Sequence, residues 1–162
     1  LADPIATVAA AGTAISRRAN IVRRLVKQAT GTMRLDPGPG VDRFDLAPGE
    51  TLLLGDPAAP LPEAAYDEQA GTLVVDLSAA QIAFRLAGPA ARRLVAKGAA
   101  IDLDDRHFRV GAGTYCRFGA FRVLLHRVAA DCFDLHVDRS LGDALLRYLL
   151  DLGAEFGVVF AE

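Results

Sequence analysis

Apolar residues recur along this chain with two different periods, and the places where the period changes mark its elements. Residues 5–11, apolar apart from Thr7, predict a strand. From Thr13 onward, Ile15, Ile21, Val22, Leu25, Val26 and Ala29 fall on one stripe of a helix that Gly31 stops. Asp36-Pro37-Gly38-Pro39-Gly40 can continue neither period and predicts a loop. Strands at 42–47 and 51–55 follow, with Pro48-Gly49 supplying the turn between them. Pro57, Pro60 and Pro62 lead into a short helical stretch at 63–69, and Gly71 precedes a strand at 72–77.

The second half repeats that order. Residues 81–86 read as a strand, Pro89 sits where a first helical residue tolerates a missing N–H, and Gly98 sits just past the helix end. Strands at 120–127 and 132–138 come next, then the strongest helix of the chain. Ser140 with Asp143 three residues on resembles a capping box, and Leu141, Ala144, Leu145, Tyr148, Leu149 and Leu152 form its buried stripe. Gly153 ends that helix and residues 156–160 return as a strand. Each half therefore reads β-α-β-β-α-β. The expected class is α+β, two ferredoxin-like units with antiparallel sheets backed by helices, residues 1–78 and 79–162, within one compact body.

At 162 residues the chain can bury a sizeable core without disulfide or metal. Its hydrophobic fraction is 52%, much of it Ala. A net charge of −2 from 18 basic and 20 acidic residues gives no electrostatic footprint for nucleic acid and suits protein partners. Cys116 and Cys132 lie apart with no CxxC spacing, so reduced core thiols are expected. No apolar run is long enough to cross a bilayer and none follows a basic leader, so a cytoplasmic protein that does not engage membranes is expected.

Few residues suggest chemistry. His126 and His136 lie on adjacent expected strands and can approach one another, but zinc needs three protein ligands, and no third stands at a recognisable spacing. A carboxylate such as Asp134 or Asp138 beside them is ordinary on a sheet face, and His107, His126 and His136 are all read as solvated or hydrogen-bonded structural histidines. Gly111-Ala112-Gly113-Thr114-Tyr115-Cys116 opens like a dinucleotide fingerprint but lacks the third glycine and a following helix, so it reads as a loop between helix and hairpin. Arg17, Arg18, Arg23, Arg24 and Lys27 would make the first helix basic, and Arg92 and Arg93 the third; solvated faces are the expectation. Asp76 ends an apolar strand, and with Ser78 it is read as capping the turn that follows. These residues assign no catalytic or metal site.

Three segments in order carry a family likeness: Val74-Val75-Asp76-Leu77-Ser78, then Phe84-Arg85-Leu86-Ala87-Gly88-Pro89-Ala90-Ala91, then Ala96-Lys97-Gly98 with Ile101-Asp102-Leu103. Val123-Leu124-Leu125, Phe133-Asp134-Leu135-His136-Val137 and Arg139-Ser140-Leu141 continue it. Together they resemble the gamma subunit of heterotetrameric sarcosine oxidase, a relative of the folate-binding superfamily typified by the glycine-cleavage T protein. The chain departs from that pattern in having no Trp.

The resemblance implies a non-catalytic subunit of a bacterial complex that oxidatively demethylates sarcosine to glycine with tetrahydrofolate as one-carbon acceptor. It implies no cofactor on this chain, with FAD, FMN, NAD and tetrahydrofolate carried by larger flavoprotein subunits. Such a subunit would expose an apolar surface and self-associate when alone. The alternative is a stand-alone folate-binding or one-carbon transfer protein, for which Asp76 and Arg139 are the candidate binding residues.

Overall fold

The segment expected as a first helix is two strands, β1 (Ala14–Arg18) and β2 (Val22–Gln28). Their apolar residues satisfy a 3.6 period only because a turn intervenes. Asn20 there takes φ 57°, a left-handed conformation that Asn tolerates better than other non-glycine residues. The β-branched Ile15, Val22 and Val26 favour the pleated alternative. The computed structural model describes residues 12–29 and 38–161, so the strand expected at 5–11 lies outside the described residues. The chain divides into two units, Asn20–Ala80 and Leu1–Ala19 with Gln81–Glu162.

In the Asn20–Ala80 unit, β2 joins β3 (Val41–Ala47), β4 (Glu50–Gly55), β5 (Ala65–Asp67) and β6 (Thr72–Asp76). They form one antiparallel sheet in the order β3-β4-β2-β6-β5. Leu52, Leu53 and Leu54 are all buried; because successive side chains of a strand point to opposite faces, both faces of the sheet are covered at β4. The helical stretch expected at 63–69 is corrected to β5. The Asp67 carboxylate accepts the Ala70 N–H at 3.0 Å and Gly71 takes φ 57°, which closes a hairpin into β6 instead of a helical turn. Among the described residues this unit is all strand, so the β-α-β-β-α-β order expected of residues 1–78 is not seen there.

The other unit contains β1, β7 (Gln81–Ala87), α1 (Ala91–Gly98), β8 (Gly113–Phe118), β9 (Phe121–Ala129), β10 (Cys132–Asp138), α2 (Gly142–Gly153) and β11 (Val159–Ala161). The sheet order is β11-β1-β7-β10-β9-β8, antiparallel except for the parallel β1–β11 pair. β8 was expected as loop because its flanking glycines mask it. Gly111 supplies the turn at φ 86°, and Thr114-Tyr115-Cys116 then pairs with β9. Across this sheet the residues alternate. Ile15, Phe84, Leu86, Phe133, Leu135 and Leu125 join Leu94 and Val95 of α1 and Leu145 and Leu149 of α2 in one core.

The helix ends differ from the sequence expectation. The capping box of Ser140 and Asp143 is not formed. Residues Arg139–Leu141 make a 3-10 turn in which the Gly142 N–H bonds the Arg139 carbonyl, and Leu141 at the N-cap contributes no side-chain cap. The buried stripe of α2 consequently runs through Gly142, Leu145, Leu149 and Gly153, while Leu141 and Ala144 are exposed. α1 starts at Ala91, two residues after the expected Pro89, and the Ala90 N–H at its N-cap donates to Oγ1 of Thr13, the residue before β1, at 2.8 Å. The loop after α1 is pinned by the buried Arg127, whose guanidinium donates to Asp105 at 2.6 Å and to the Phe108 carbonyl at 2.7 Å. Among the described residues no helix is long and apolar enough to cross a membrane.

Candidate functional site

On the face of the six-stranded sheet opposite α1 and α2, four polar residues stand in one row across adjacent strands. Ser16 of β1 faces Arg85 of β7, Arg85 faces Asp134 of β10, and Asp134 faces His126 of β9. Two residues along, the next row places Arg18 opposite Ala83, and Ala83 opposite His136. Ser16, His126, Asp134 and His136 are each at most 4% exposed. Ionised groups at that depth must be paired.

Asp134 supplies the pairing. The Arg85 guanidinium donates to it bidentately, Nε to Oδ1 and Nη2 to Oδ2, both at 2.8 Å. Arg18 Nε approaches Oδ2 at 3.6 Å. A planar fork on a carboxylate is the strongest form of this interaction and fixes both side chains. One carboxylate thus serves two guanidiniums.

The same carboxylate supplies the third ligand that sequence spacing did not reveal. Ligand atoms of His126, Asp134 and His136 all lie within 4.8 Å of one another. Distance alone would admit one metal ion, but both Asp134 oxygens already accept from Arg85, and an added cation would sit beside two fixed positive charges. The arrangement therefore suits a salt-bridged sheet interior better than a metal centre. Sequence reading missed Ser16, Arg18 and Arg85 as members. The available signal was the alternation of Asp134, His136 and Asp138 with apolar residues in β10 and the lone Arg85 within the apolar stretch Ile82–Ala87 of β7.

The other candidates are held elsewhere. The Asp76 carboxylate accepts the Ser78 N–H at 2.8 Å and pairs with Arg24 Nη1 at 2.7 Å, directly across the β2–β6 ladder. Arg139 donates to the Gln81 carbonyl at 3.4 Å. Asp76 and Arg139 belong to different units. His107 is exposed and meets Asp102 at 2.6 Å, on the loop after α1. The five basic residues expected on one helix face are distributed over β1 and β2, with Arg17 exposed and Arg23 only 2% exposed. On α1, Arg92 braces the following loop through Asp105 and the Leu103 carbonyl, and Arg93 stacks over Phe156 at 4.7 Å. Cys116 and Cys132 form no disulfide, and burial pushes the Cys116 thiol pKa up.

Asp76 gives a pH prediction. The hydrogen bonds from Ser78, followed by the charge of Arg24, hold its carboxyl below the usual carboxylate range. A depressed folded-state pKa adds stability above the unfolded value of about 4, and that stability is lost as pH falls through the lower folded value. Asp76→Asn is expected to remove this share of acid sensitivity: chemical denaturation at pH 7 and pH 3 should show a smaller difference than in the wild type. An unchanged difference would mean that the Ser78 and Arg24 contacts do not persist in solution.

Comparison with known proteins adds three findings. The model of the sarcosine oxidase, gamma subunit family matches residues 46–155. A chain of the heterotetrameric sarcosine oxidase from Corynebacterium sp. U-96, solved in complex with pyrrole 2-carboxylate, is similar with TM-score 0.76 at 22% identity, covering 96% of both chains. The glycine cleavage system aminomethyltransferase T from Bartonella henselae is similar with TM-score 0.63 at 14% identity, over 93% of this chain and 48% of that one. These structural likenesses are of fold. No curated protein matches the sequence.

Proposed function

This chain belongs to the sarcosine oxidase gamma subunit family, and from that premise we propose that it is a non-catalytic structural subunit of a complex that oxidatively demethylates sarcosine. In that reaction sarcosine, dioxygen and tetrahydrofolate give glycine, hydrogen peroxide and methylenetetrahydrofolate. The family match over residues 46–155 carries the proposal. The disposition of the polar residues supports it: Asp134 is committed to Arg85, and Asp76 to Ser78 and Arg24. The flavins, the nicotinamide dinucleotide and the folate would sit on the larger subunits. The order β11-β1-β7-β10-β9 supports reading the helix-bearing unit as ferredoxin-like with β1 inserted beside β7.

Gentle affinity purification of the tagged chain from its native host tests this. The expected result is a yellow peak in which larger flavoprotein subunits co-elute with it. A colourless chain recovered alone would overturn the proposal.

A further inference from the structure

We propose that the open edge of β8 and the tip of the β8–β9 hairpin dock an extended acidic segment of a larger subunit, an inference that rests on the reading of this chain as a subunit of such a complex. Tyr115, Cys116, Arg117, Ala120, Phe121 and Arg122 line an open concavity of about 430 Å³. Arg117 and Arg122 stand directly opposite one another across the β8–β9 ladder. Like charges in that position destabilise a sheet. Neither has a carboxylate within salt-bridge distance among the described residues. The Arg122 guanidinium lies 4.5 Å over the Tyr115 ring, which orients it across the concavity.

The hairpin tip is held in place from behind. Gly119 turns at φ 56°, and a Cβ there would lie 2.6 Å from the Tyr148 ring. Phe118 and Phe121 contact the same ring, with centroids 5.9 and 5.8 Å away. The two cations are therefore presented on a preformed surface, which reduces the ordering that binding requires.

The backbone selects an extended partner. Among the described residues β8 has one strand neighbour, β9, and on its other side residues 98–100 meet its end through the Ala99–Phe118 bridge and the Gly119 N–H donating to the Gly98 carbonyl at 2.9 Å. With Gly119-Ala120 as a two-residue turn, Phe118 and Phe121 are the closing hydrogen-bonded pair, so Arg117, Tyr115 and Gly113 direct their N–H and C=O groups outward. The Arg117 carbonyl is already met from that side by the Ala100 N–H at 3.1 Å. Tyr115 and Gly113 offer the same groups to an added strand. Main-chain bonds would hold such a strand, and its carboxylates would relieve the repulsion between the arginines.

Arg122→Glu tests the site. It replaces a repelling pair with an attractive one, so the Tm of the isolated chain should not fall, while the charge of the concavity drops by two. Arg17→Glu makes the same charge change at an exposed position of β1, four strands from β8. In titrations with the purified larger subunits, Arg122→Glu is expected to weaken assembly by about tenfold or more, and Arg17→Glu by less than about twofold. Wild-type affinity in Arg122→Glu would overturn the docking site and leave the subunit reading intact. A wild-type chain that binds no flavoprotein overturns both. Equal losses in the two variants would assign the effect to net charge and overturn the docking site. Inorganic phosphate raising the Tm of the wild type but not of Arg122→Glu, with assembly unaffected by the substitution, would give the arginines to a small anion and also overturn it.

Discussion

Replacing Asp134 by alanine is expected to lower the unfolding free energy by about 3–5 kcal/mol, the usual penalty for breaking a buried ion pair by removing one partner. Its side chain is 5% exposed and that of Arg85 15%, so little water can replace the lost carboxylate. Arg18, whose Nε is 3.6 Å from the same carboxylate, loses its counter-charge as well. Against a typical total of about 5–15 kcal/mol, this is a large fraction. Urea denaturation of the isolated chain measures it.

The double variant Arg85→Met with Asp134→Leu separates two explanations of that loss. If the penalty comes from stranded charge, the double variant should recover most of the stability, because replacing a whole buried pair by apolar groups is often neutral. If it remains as unstable as Asp134→Ala, the pair contributes specific hydrogen bonding or register that apolar groups cannot supply. A loss below about 1 kcal/mol in Asp134→Ala, the range of a solvated surface pair, would show that the row is hydrated and the burial argument wrong.

Legibility of the fold in the sequence followed the strength of local punctuation. Pro89, with its fixed φ, lies two residues before α1, while Gly98 and Gly153 are the last residues of α1 and α2; neither glycine takes a positive φ, and each leaves room for a close neighbour, the Phe118 ring at Gly98 and Leu94 with Val158 at Gly153. β9 and β10 were legible from long runs of buried residues. β1 and β2 were not. Isoleucines and valines spaced for a helix are equally compatible with two short strands, and the single residue that decides between them, Asn20, carries no strong signal by itself. β5 failed similarly, since three exposed residues have no period at all. For the polar row, the sequence held its members but not their register. Asp134 meets His126 and Arg85 only through the pairing of β10 with β9 and β7. The arginine fork that argues against a metal is a tertiary fact.

Gly88→Ala is expected to destabilise the chain by about 2–5 kcal/mol, adding backbone strain to a steric collision. Gly88 lies in the Ala87-Gly88-Pro89 link between β7 and α1 and takes φ 125°, a region that side chains disfavour. A Cβ there would lie 2.5 Å from the Gly12 carbonyl oxygen and 2.7 Å from Thr13 Cα. Both are backbone atoms, so no rotamer change relieves the overlap. Displacing them would pull Thr13 Oγ1 from the Ala90 N–H that starts α1 and disturb the adjoining Ala14–Ala87 pair. Gly157→Ala provides the contrast: Gly157 has φ 64° but nothing within 4 Å of its Cβ position, so it should suffer left-handed strain alone, about 1–2 kcal/mol. The difference between the two variants in urea denaturation isolates the collision. Equal losses would mean that β1 does not pass against the β7–α1 link as closely as described, and the tie from Thr13 to the helix start would fail with it.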